Sequence, residues 1–111
     1  MKSEREARIQ ARLREVWIST RGTLEERITA LEDTVALLQS GRLSSVQRED
    51  SLSAAHKLAG SIGMFGLHDG SECARSIENS LSFEHPDVKV ILDAVSRLRT
   101  YVHAYDLVEE K

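Results

Sequence analysis

Apolar residues recur every three or four positions along most of this chain and nowhere alternate with polar ones over the length of a strand. That period is the signature of amphipathic helix, so an all-α fold is expected. Ile9, Leu13, Val16 and Trp17 form a first helical face within Glu4 to Thr20. Gly22 then predicts a break, with Thr20 or Thr23 placed to cap the next helix. The second segment carries Leu24, Ile28, Leu31, Val35 and Leu38 at spacings of four, three, four and three. Ser40-Gly41 ends it, because glycine is free to take the left-handed cap conformation. A third helix starts near Ser44 or Ser45 and runs to about Phe65, with Leu52, Ala55, Leu58, Ala59 and Ile62 inward. The fourth runs from about His68 to Leu81, burying Ala74, Ile77 and Leu81. After a turn over Ser82 to His85, Pro86 suits the first position of a fifth helix, where its missing N–H costs nothing. Val88, Ile91, Leu92, Val95, Leu98 and Val102 make that helix's stripe.

Short connections between amphipathic helices favour antiparallel neighbours. The expected architecture is an up-down-up-down antiparallel four-helix bundle with an additional N-terminal helix. It forms one domain over residues 1–111, with its core at about 10–105. The second segment's stripe could also seat a coiled-coil partner, although four other segments compete for the same surface.

Composition narrows the function classes. The chain has 111 residues, 41% hydrophobic and 30% charged, the balance of a folded globular domain. Its net charge is −3, from 15 basic and 18 acidic residues, with no dense basic stripe, so nucleic acid is not an expected partner. Residues 2–14 are charged but mixed in sign, which reads as a solvated helix face. No apolar run approaches the roughly 18 residues of a membrane span, and the start lacks the layout of a signal peptide. Cys73 is the single cysteine, which rules out an internal disulfide. These features make the cytoplasm the expected location.

One stretch breaks the rules that the rest obeys: Ala54-Ala55-His56-Lys57-Leu58-Ala59-Gly60-Ser61-Ile62-Gly63-Met64-Phe65-Gly66-Leu67. Gly60 and Gly63 each cost a helix about 1 kcal/mol against alanine. Such violations are expected where function requires them. The glycines stand four and seven residues after His56, on the histidine's own face. Helical side chains lean toward the N-terminus, so residues 59 and 60 would normally cover the imidazole. Alanine and glycine cannot. The expectation is an exposed imidazole on bare backbone, a docking site for a broad and closely fitting partner. Neutral imidazole is a nucleophile, and imidazoles in general titrate near pH ~6.5, close to neutrality. Lys57 could swing its charge toward a phosphoryl group. Phosphoryl transfer asks mainly for in-line positioning and charge stabilisation.

The run His56-Lys57-Leu58-Ala59-Gly60-Ser61, followed by Gly66-Leu67, resembles the signature of histidine-containing phosphotransfer (HPt) domains. The likeness is greatest to those of bacterial multidomain response regulators and hybrid kinases, and it extends over about residues 10–105. The resemblance implies that His56 is phosphorylated on Nε2 and that Gly60 leaves room for the partner. It also implies that Lys57 helps balance phosphoryl charge and that Glu78, on the next helix, orients the imidazole. Many relatives carry lysine three residues after the histidine, where this chain has Ala59. Gly70 replaces a larger apolar residue, which predicts loose packing at the start of its helix. The partners implied are response-regulator receiver domains and a hybrid sensor kinase. The Mg²⁺ and most of the catalysis come from the receiver, so this chain is a phosphocarrier in a two-component relay, not an enzyme. It is expected to be a monomer with no cofactor of its own, and it has no ATP-binding motif.

The remaining residues read more plainly. Ser61 could meet the backbone or a phosphoryl group, and in a helix the backbone is favoured. His68, His85 and His103 read as surface or boundary residues, Trp17 as core filling, and Cys73 as a boundary residue rather than a nucleophile. His56, His68, Glu72 and Cys73 lack a metal-ligand spacing. The alternative function is a non-phosphorylated helical module that binds or sequesters a signalling partner; a weaker one is a helical dimerisation domain.

Overall fold

The computed structural model describes residues 3–109. It contains four helices: α1 (Glu4–Gln39), α2 (Ser45–Met64), α3 (His68–Leu81) and α4 (Val88–Glu109). Each packs against its chain neighbour, and α4 closes the ring on α1. Cross-helix bonds give the directions. Arg99 meets Glu25 and Glu32 while Asp106 meets Trp17 and Arg21, so α4 runs antiparallel to α1. His56 meets Glu78 while Ser71 meets Ala59, so α3 runs antiparallel to α2. The up-down-up-down bundle is therefore as expected.

The separate N-terminal helix is not. α1 passes through Gly22 without a break. A mid-helix glycine costs about 1 kcal/mol. The flanking Trp17 and Leu24 are both fully buried, and burying such a side chain stabilises by about 1.5–3 kcal/mol each. Continuity of the helix keeps both in place. Thr20 and Thr23 consequently cap nothing, and α1 starts instead at Ser3, whose hydroxyl accepts from the Glu6 N–H at 3.1 Å.

The 36 residues of α1 would span about 54 Å at 1.5 Å per residue, matching the molecule's long dimension of 53 Å. Its first turns project beyond the other helices. Ile9 and Leu13, expected in the core, are exposed there. The heptad-like stripe from Leu24 to Val35 is buried inside the bundle, with Leu38 at its edge. Leu92, read as part of the α4 stripe, is also exposed; Ala94 is buried in its stead.

Boundaries follow local chemistry. At Ser44 a capping box forms: its hydroxyl accepts from the Gln47 N–H at 3.1 Å, and its own N–H donates to Gln47 Oε1 at 2.9 Å. Gly41 (φ +70°) and Gly66 (φ +78°) close α1 and α2 in the left-handed conformation. Pro86 lies outside α4, because Asp87 takes the capping role. Its carboxylate accepts from the N–H groups of Lys89 and Val90, so the helix opens later than the proline suggested.

The core also holds polar ties invisible in the pattern. Thr34 and Ser51 hydroxyls meet at 2.6 Å between α1 and α2, each also within bonding distance of its own helix's carbonyls. Trp17, Phe65 and Tyr105 pack together at one end of the bundle, the indole edge-on to both other rings. The indole N–H donates to Asp106 Oδ1 at 2.9 Å. Arg48 holds the opposite end, donating to the carbonyls of Leu81 and Phe83.

Candidate functional site

His56 projects from the middle of α2 with its side chain 77% exposed. Two turns of buried residues hold that helix against the core: Ala55, Leu58, Ala59 and Ile62 face inward, which turns His56 outward. Across the seam Ala74, Ile77 and Leu81 bury the inner face of α3. Glu78 is thereby set on the edge of α3 nearest His56. Its Oε2 lies 3.0 Å from His56 Nδ1.

A carboxylate only accepts, so Nδ1 carries the hydrogen, and in the neutral ring the lone pair is then on Nε2. Nε2 has no partner among the described residues. The ring is thus held by one nitrogen and offered by the other. A single exposed nucleophile with a fixed tautomer is the result.

The surroundings sort the other candidates. Lys57 is exposed one residue along, and no ion pair holds it among the described residues. Gly60 is exposed, and a Cβ placed on it would meet nothing within 4 Å, so the ground beside the imidazole is open. Gly63 faces α3 rather than open space: a Cβ there would lie 3.4 Å from Ser71 Oγ, an ordinary van der Waals contact. Ser71, which the sequence pattern did not single out, donates from its buried hydroxyl to the Ala59 carbonyl at 2.8 Å. This bond pins α3 to α2 one turn from His56. Ala59 is buried in that seam. Ser61 is half-buried, and the backbone bond expected of its hydroxyl does not form among the described residues.

Gly70 overturns the expectation of loose packing. It is buried, and an added Cβ would approach Ile62 Cγ2 to 3.1 Å. α3 starts tightly because the residue there is small. Cys73 sits half-buried between α3 and α4, where burial pushes its thiol above the ordinary cysteine range. Less thiolate means less reactivity. Among the described residues no three His, Cys, Asp or Glu side chains gather as metal ligands would, and no helix is long and apolar enough to cross a membrane.

The geometry agrees with the results of comparison. A family model described as the Hpt domain matches residues 15–106. Protein RcaC of Microchaete diplosiphon is 33% identical over 76 residues, which cover 68% of this chain and 12% of that protein. The chain therefore corresponds to a small part of that relative's length. No solved structure matches. A four-helix bundle whose sequence fits the family model over most of its length belongs to the Hpt domain family, the phosphocarrier modules of histidine phosphotransfer in two-component phosphorelays.

Proposed function

We propose that this domain accepts a phosphoryl group on His56 Nε2 from the aspartyl phosphate of a receiver domain and returns it to another. The observation that carries this reading is the division of labour on one ring: Nδ1 held at 3.0 Å by Glu78, Nε2 unpartnered among the described residues and exposed.

In the transfer, the Nε2 lone pair attacks phosphorus in line with the departing aspartate oxygen. The N–P bond forms as the P–O bond breaks, and the aspartate leaves with the electron pair. Nδ1 keeps its hydrogen throughout, so the ring becomes cationic as it takes the phosphoryl group. The Glu78 carboxylate faces that new charge and stabilises it, which a neutral amide would do less well. Lys57 answers the negative charge of the phosphoryl oxygens. Gly60 leaves the space through which the receiver's site, with its aspartate and Mg²⁺, comes within reach of Nε2. Met64, exposed further along α2, offers an apolar contact at the margin.

The test is transfer from a panel of phosphorylated receivers to the wild type and to His56→Gln. Acid-labile, base-stable label on the wild type alone supports the reading. Label retained by His56→Gln removes it. Receiver binding that is indifferent to His56→Ala and moves no phosphoryl group would instead identify a binding-only module.

A further inference from the structure

A phosphoryl group on His56 would sit beside a second cation, supplied by the neighbouring helix. His56 pairs with Glu78, and Gly63 faces Ser71. Both pairs belong to one antiparallel register, which sets Arg75 opposite Ala59, one turn (about 5.4 Å) along the seam from His56. Arg75 stands four residues after Ser71 and three before Glu78, so it shares their side of α3. Its neighbour Ala74 is fully buried, whereas the Arg75 side chain is 60% exposed. It therefore occupies the outer rim of the seam. Lys57 leaves α2 about 100° round from His56, on the flank away from α3. The two residues therefore stand on opposite flanks of His56, within reach of its outer face.

One turn along from the imidazole, Gly60 has no side chain and nothing lies within 4 Å of where a Cβ would stand, so the outer face of His56 is open. Arg75 is at present engaged by Glu72, 2.8 Å away on the same helix. Both partners are exposed, and such a pair is weak and easily exchanged. A phosphoryl dianion offers more charge, and oxygens spaced for the guanidinium fork.

We propose that Arg75 leaves Glu72 for the phosphoryl oxygens when His56 is loaded, and binds the group during transfer. This rests on the reading of His56 as the carrier. The test loads the whole chain with phosphoramidate, from which Nε2 displaces ammonia as the N–P bond to the ring forms. Loading is followed by ³¹P NMR and the arginine Nε–H resonances by ¹⁵N NMR. Loading about fivefold slower in Arg75→Ala, recovery in Arg75→Lys, and a shift of the Arg75 resonance on phosphorylation are expected. Glu72→Gln should load faster, and that gain should vanish in the Arg75→Ala background. Equal loading of wild type and Arg75→Ala, with an unmoved Arg75 resonance, would overturn the role of Arg75 and leave His56 as carrier. No phosphoryl group on His56 of the wild type would overturn the carrier reading, and this inference with it.

Discussion

Glu78 and His56 lie 22 residues apart in sequence and 3.0 Å apart in space, joined through Oε2 and Nδ1 across the α2–α3 seam. The pair is accessible to solvent and contributes little to stability. Its consequence is chemical: one imidazole nitrogen is occupied so that the other stays available.

Glu78→Gln keeps an acceptor for the Nδ1 hydrogen but removes the charge that answers the cationic ring. Phosphoryl transfer to His56 should slow by about fivefold, and by more in Glu78→Ala, where the acceptor is lost as well. Thermal unfolding should barely move in either variant. Initial rates of labelling from a phosphorylated receiver, with melting curves alongside, check both halves.

The three glycines near the site should respond differently to the same alanine. Gly60→Ala places its methyl in open space, so the helix gains about 0.5–1 kcal/mol. Gly63→Ala sets its methyl 3.4 Å from Ser71 Oγ, an ordinary contact, and should gain no more than Gly60→Ala. Gly70→Ala meets Ile62 inside the core, and overpacking of that kind costs about 1–3 kcal/mol. Urea unfolding midpoints should rank in that order. Gly60→Leu is expected to keep the fold and lose receiver docking, which titration calorimetry would read.

Asp106 links stability to pH. The Trp17 N–H bond, helped by Arg21, holds its carboxyl below the ordinary aspartate range. A group whose pKa is lower folded than unfolded contributes fully above its unfolded value, near pH ~4, and loses that contribution as pH falls through the folded one. The wild type should therefore lose stability below about pH 4 more steeply than Asp106→Asn. Asp106→Ala strands the buried indole N–H and should cost about 1–3 kcal/mol at neutral pH. Chemical denaturation at a series of pH values separates the three proteins.

Gly22 offers a test of the continuous first helix. A Cβ there meets nothing within 4 Å, so Gly22→Ala should stabilise by up to about 1 kcal/mol and raise the melting temperature. A hinge at that position would make the substitution neutral or harmful instead.

Much of this protein is legible in its sequence alone. The 3.6-residue period from Leu24 to Val102 determines four helical stripes, since apolar side chains at that spacing can leave water together only on a helix. Ser44, Gly41 and Gly66 mark the helix ends by hydrogen-bonding capacity and backbone freedom that are properties of those residues. The His56–Gly60 spacing was equally legible, because four residues on a helix is a distance in space. Tertiary packing decided whatever depends on a partner distant in sequence. Periodicity states that Ile9 and Leu13 could be buried, but only the reach of the other helices leaves them exposed. A glycine's cost is local, whereas the burial of Trp17 and Leu24 that outweighs it at Gly22 is not. Gly63 and Gly60 look alike until α3 approaches one and not the other. The bond between Glu78 and His56, and with it the choice of which nitrogen is free, exists only because two helices meet in one register, and a pattern read along a single helix carries no information about that register.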